Sequence, residues 1–170
     1  MSRLASTGAA FEPFRNPVSA DEIRSCQGKL FDLHAELYRQ AKRQQQKQDE
    51  FLLPMLWILT PTLAAATLER FGAITDVEGW GSGVYLLPPG QKTGIVVIHL
   101  LPVTLDTLWL RVLGKHKVQQ RAIAEINRLD GDSPYRQNAL ELFSDLRVVL
   151  ERNQNCDRQD TELLMSLKTS

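Results

Sequence analysis

The residue pattern predicts an α/β fold: a small mixed sheet flanked by helices, followed by a helical C-terminal half. Three observations carry this expectation. Met55–Thr60 is a short, almost wholly apolar run stopped by Pro61, the signature of a buried strand. Val84–Leu87 and Ile95–Leu100 are two further strand-like runs, separated by the turn-rich Pro88-Pro89-Gly90. Apolar residues recur at three- and four-residue spacing before and after these runs, which is the period of a helix lying on a core. Strand, helix, strand, strand then points to a mixed sheet.

Taken in order, residues 8–14 read as a short strand that Pro13 ends, because proline has no ladder donor. Asn16-Pro17 is a turn. Ser19 with Glu22 three residues later forms a capping box, and Ile23, Cys26, Leu30, Leu33, Leu37 and Ala41 make the apolar stripe of the helix behind it. From Lys42 to Gln48 the stripe dissolves into a polar run. Thr62 is placed to cap a helix running to Phe71, with Gly72 closing it in the left-handed region. Thr104 is placed to cap another that ends at Gly114. Val118, Ala122, Ile126 and Leu129 mark a further helix. Ser133 and Pro134 open one more, with Leu140, Phe143, Leu146, Val149 and Leu150 on its buried face, and a last one is expected over Glu162–Lys168. The expected division is an α/β core over 1–113 and a helical extension over 114–170.

Composition narrows the classes of function. At 170 residues and 43% hydrophobic content the chain is long and apolar enough for one real core. Lys+Arg and Asp+Glu are both 20, so a uniformly basic DNA-coating protein is excluded and any contact with phosphate needs a local patch. Cys26 and Cys156 fit neither a disulfide framework nor a CxxC metal site, which points to a reduced, cytoplasmic setting. The N-terminus lacks the layout of a signal peptide. The longest apolar stretches fall short of the roughly 20 residues a membrane span needs, so no membrane is expected.

No P-loop, GxGxxG, GxSxG or HExxH motif is present. His34 lies on a helix without a second ligand at i±4 and reads as a surface or boundary residue; His99, at a strand end, reads as a packing or pairing residue. Ser82, in Gly81-Ser82-Gly83, reads as a turn. Arg111, Lys115, Lys117 and Arg121, with His116, surround the Gly114 turn in a window free of acids from Thr107 to Ala124. Such a cluster is either a solvated corner or a set of phosphate contacts. Arg39, Lys42, Arg43 and Lys47 form a second basic strip with the same two readings.

Several stretches carry a family resemblance: Glu-Pro-Phe-Arg-Asn-Pro (12–17), Arg-Ser-Cys-Gln-Gly-Lys-Leu-Phe (24–31), Leu-Trp-Ile-Leu-Thr-Pro (56–61), Leu-Glu-Arg-Phe-Gly-Ala (68–73), Leu-Pro-Val-Thr-Leu-Asp-Thr-Leu-Trp-Leu-Arg (101–111) and Gly-Lys-His-Lys-Val-Gln-Gln-Arg-Ala-Ile (114–123). Through them the chain resembles a family of mostly cyanobacterial, uncharacterised proteins related to the Rpn-type recombination-promoting nucleases of the PD-(D/E)xK superfamily. The resemblance implies a Mg²⁺-dependent DNA endonuclease core, in which carboxylates on adjacent strands hold the metal and a lysine steadies the attacking water or the developing charge. It places Glu12 as the metal-binding carboxylate, with Lys29 or Arg15 as its electrostatic partner, because Phe14 stands where the family's lysine is expected. Arginine keeps the charge but cannot act as a base. The relatives carry a strand with an acidic Val-Asp-Val-type motif ahead of this stretch and often a Gln-rich helical tail behind it. The resemblance therefore implies a chain cut at both ends, an incomplete core without the first metal-binding Asp, and no cleavage of DNA by this chain alone. Two rival expectations stand beside it: a module that binds nucleic acid without chemistry, and a self-associating protein that pairs through an exposed sheet edge.

Overall fold

The computed structural model of the chain describes residues 8–47, 49–75 and 79–129. It divides into two compact units, Met1–Lys115 and His116–Ser170. The first is an α/β unit with a five-stranded mixed sheet in the order β1-β2-β5-β4-β3. Its strands are β1 (Ala9–Pro13), β2 (Met55–Thr60), β3 (Ile74–Thr75), β4 (Val84–Leu86) and β5 (Thr93–Val97). β1, β2 and β5 run parallel, while β4 and β3 add on antiparallel. The helices are α1 (Ala20–Arg43), α2 (Ala65–Arg70) and α3 (Leu108–Val112) in this unit, and α4 (His116–Asn127) at the start of the second. The expected helices beyond residue 129 lie outside the described residues.

α1 starts where its sequence says it should. The Ser19 side chain accepts from the Glu22 N–H, and the Glu22 carboxylate accepts from the Ser19 N–H at 2.8 Å, closing the capping box. Ile23, Cys26 and Leu30 then join Leu56 and Ile58 of β2 and Ile95 and Val97 of β5 in one core. Ile23, Ile58 and Ile95 are fully buried, and each such side chain contributes on the order of 1.5–3 kcal/mol. The buried row differs from the expected stripe at one turn. Leu33 is 42% exposed, and His34 takes the inward place, its Nε2 lying 2.8 Å from the Pro54 carbonyl. At about 100° per residue Leu33 falls roughly 80° off the centre of the row through Ile23, Leu30 and Ala41, whereas His34 falls within about 20° of it. A buried imidazole is tolerated there because it has that carbonyl as a partner.

Other expected boundaries shift for identifiable reasons. β2 is found as expected, but β5 starts at Thr93 and ends at Val97; Ile98–Leu100 forms a 3₁₀ turn in which the His99 N–H leaves the ladder for the Pro61 carbonyl. Thr62 does not cap α2. The helix starts at Ala65 after extended backbone at Ala64 with no side-chain cap, and Gly72 closes it in the left-handed region as expected. Nor does Thr104 cap a helix. Residues 102–107 form a turn in which the Thr107 hydroxyl donates to the Pro102 carbonyl, and α3 is five residues long. Among the described residues no helix is long and apolar enough to cross a membrane.

Candidate functional site

β1 pairs with β2 in the register Glu12↔Ile58. Alternation along the strand puts Ala10, Glu12 and Phe14 on one face, and Ala10 and Phe14 pack on the core that α1 covers. Glu12 therefore points toward α1. The chain turns after Phe14 and enters α1 in a fixed place, because the Thr60 hydroxyl at the end of β2 accepts from the Val18 N–H at 3.1 Å and donates to the Thr62 carbonyl at 2.9 Å.

This geometry brings two of the sequence-proposed residues together. Lys29 Nζ on α1 donates to Glu12 Oε1 at 3.0 Å, with side chains 65% and 35% exposed. Hydrogen bonding to Glu12, and its charge, hold the Lys29 ammonium above its ordinary range, so it stays protonated and serves as a fixed positive charge rather than a base. Arg15, the other proposed partner, is half-buried, with Nε and Nη1 shielded from solvent. Lys29 is thus the cation seen on the Glu12 carboxylate.

Sequence reasoning missed the third member of this group. Cys26 is buried one turn before Lys29 on the same helix. Burial pushes its thiol above the ordinary range; the charge of Glu12 pushes the same way and that of Lys29 opposes it. The thiol is protonated at neutral pH and is neither nucleophile nor thiolate ligand. The three-residue spacing from Lys29 is the available signal, but it acquires meaning once β1 is known to pass alongside.

Magnesium needs several oxygen ligands in near-octahedral array. Here the candidate carboxylate already accepts from an ammonium, and its neighbour is a protonated sulfur. Among the described residues no group of three or more His, Cys, Asp or Glu side chains could hold a metal ion. This donor set does not fit the ion that the family resemblance implies, and no chemical step is derived through it.

The basic cluster around Gly114 separates into unlike parts. Arg111 is a correction: it is 2% exposed, and its guanidinium donates to the Thr104 carbonyl at 2.9 Å and to the Thr107 hydroxyl at 3.2 Å. It braces the turn ahead of α3 and is not a surface contact. Lys115 is half-buried; its N–H donates to His99 Nε2 at 3.1 Å, and its Nζ donates to Asn16 Oδ1 at 2.9 Å. Lys117 and Arg121 are exposed on α4, in the second unit. In the other basic strip, Arg39 and Arg43 both donate to Glu36, at 2.9 and 2.8 Å. Ser82 donates to the Leu100 carbonyl within a turn. Comparison with protein-family models, with curated proteins and with solved structures returns no match to the chain in any of the three.

Proposed function

We propose that the protein is a nuclease-like α/β scaffold of the recombination-associated type that does not cleave DNA by itself. One observation carries the reading: the acid and the lysine that such chemistry would use, Glu12 and Lys29, are engaged with each other at 3.0 Å. In an active centre of this type the carboxylate faces a metal and the lysine faces the scissile phosphate. Here the pair ties β1 to the helix behind it. A single carboxylate would leave Mg²⁺ largely hydrated and loosely placed, which removes most of its capacity to activate water. The α/β frame, with the pair near the C-terminal ends of its parallel strands, is consistent with this descent.

The test is a cleavage assay on supercoiled and linear DNA, with Mg²⁺ or Mn²⁺, using chain free of contaminating nuclease. The expected result is no cleavage that depends on Glu12. Divalent-ion-dependent cutting that disappears in Glu12→Ala would overturn the proposal. A second reading, nucleic-acid contact without chemistry, is favoured by the exposed cations on α4, which are distant in sequence from the Glu12–Lys29 pair.

A further inference from the structure

The exposure pattern of α4 is that of a helix with one buried and one solvated face. Gln119, Ala122 and Ile126 are buried, whereas His116, Lys117, Gln120, Arg121, Ala124 and Asn127 are exposed, as is Arg128 in the closing turn. At about 100° per residue the exposed residues form one uninterrupted arc of roughly 140°. Lys117, Arg121 and Arg128 fall within about 40° of one another on that arc, and Ala124 lies beside them, between Arg121 and Arg128 along the axis. The one acid of α4, Glu125, is half-buried and stands about 40° beyond Arg121, at the margin of this line.

Two features of the stripe bear on what it can meet. The first turn of α4 holds no acid and its last turn no base. Lys117 instead places a cationic side chain near the positive end of the helix dipole, where carboxylates are favoured. The arc also has no large apolar residue, although an interfacial membrane helix needs Trp, Phe or Leu to enter the acyl layer. What it presents is three cations, two amides, the His116 imidazole and a small residue near the centre that allows close approach. That chemistry suits phosphates flanking base edges.

We infer that the Lys117–Arg121–Arg128 face of α4 docks on duplex DNA, the helix entering the major groove with these cations on the flanking phosphates. The groove of B-form DNA admits an α-helix, whereas the deep, narrow major groove of A-form RNA does not. The surface lies outside the Glu12–Lys29 pair and stands whether or not that pair descends from a nuclease centre.

The experiment is fluorescence anisotropy with a labelled mixed-sequence DNA duplex over a salt series. The wild-type chain is expected to bind with a log–log salt slope that the combined variant Lys117→Gln/Arg121→Gln/Arg128→Gln reduces by about 2.7, close to 0.9 for each phosphate left without its cation. Affinity falls roughly a hundredfold or more at 0.1 M salt, at all sequences alike. Glutamine is a good helix former and all three sites are exposed, so the fold is retained. Ala124→Glu, which places an acid inside the stripe, is expected to abolish binding by itself, while Arg24→Gln/Arg70→Gln leaves the slope unchanged. The inference fails if the wild-type chain does not bind at 50 mM salt, if the combined variant keeps the wild-type slope, or if the Arg24/Arg70 pair lowers it as much. It also fails if duplex RNA or phosphatidylcholine/phosphatidylserine vesicles are preferred to DNA. Cleavage is not read in this assay, so its outcome is independent of the fate of the Glu12 proposal.

Discussion

Glu36 illustrates how one side chain sets a measurable property of α1. Its carboxylate accepts from Arg43 at 2.8 Å, Arg39 at 2.9 Å and Gln40 at 3.2 Å, which lowers its pKa from 4.5 to about 2. A carboxylate with a depressed folded-state pKa contributes stability that is fully present above its unfolded value and is lost as pH falls through the folded one. The expected outcome is that thermal stability declines between pH about 4.5 and about 2, and that Glu36→Gln flattens this decline. Melting curves by circular dichroism across that window check it, and added salt should shrink the difference because the pairs are exposed. The same scale shows what is legible of the candidate site. Glu12, with Lys29 or Arg15 as its partner, is placed by the family resemblance, and the structure brings Glu12 and Lys29 into contact. Arg111 cannot be sorted from Lys117 by sequence, because an arginine near a helix end looks alike whether water or two threonines surround it. Its burial depends on the turn at 102–107, where the sequence pattern suggests a helix.

At the level of elements, local chemistry is readable wherever it is self-contained. The Ser19–Glu22 box, the Pro13 stop and the Met55–Thr60 run each depend on neighbours within a few residues, and each is present. Removing the cap is expected to cost about 1 kcal/mol in Ser19→Ala, whereas Glu22→Gln keeps the reciprocal bond and costs less; urea denaturation distinguishes the two. What cannot be read depends on distant partners. β3 is two residues long and exists through its pairing with β4, and β5 reaches back to Thr93 because Leu56 of β2 lies beside it. Gly94 is a related case. A Cβ at this position would come 2.3 Å from the Trp57 ring, well inside van der Waals contact; that ring is 1% exposed and rests against Trp80 with ring centroids 5.1 Å apart. Gly94→Ala is therefore expected to destabilise by roughly 1–3 kcal/mol through overpacking. Because the two positions touch, Trp57→Leu in the same chain should offset part of that loss, so that the double variant is more stable than the sum of the singles allows. Additive losses in a double-mutant cycle would show that the close approach is not the cause.

For the whole molecule, the question is whether the sheet edge leads to association between chains. Among the described residues β1 is an edge, paired on one side by β2. The Gly8 carbonyl accepts from the Met55 N–H and the Phe14 N–H donates to the Leu59 carbonyl, so the even-numbered residues of β1 address β2 and the odd-numbered ones address the opposite side. Pro13 thus occupies an outward register position, where its missing N–H removes a donor from the row that a second strand would use. Charge offers no comparable protection. With 20 basic and 20 acidic residues and an isoelectric point near 6.8, the molecule has almost no net repulsion between copies at neutral pH. Phe11, 41% exposed and also outward in register, adds an apolar side chain to the same strand. The balance at this edge therefore turns on Pro13. Pro13→Thr restores the donor with a residue that favours strands, and it is expected to raise the weight-average mass in light scattering as concentration rises, most strongly near pH 6.8. Moving about two pH units away should weaken the effect by charging every copy alike. If the threonine variant stays as monodisperse as the wild-type chain at all concentrations and pH values, the outward row of β1 is not an association surface, and the proline has no protective role there.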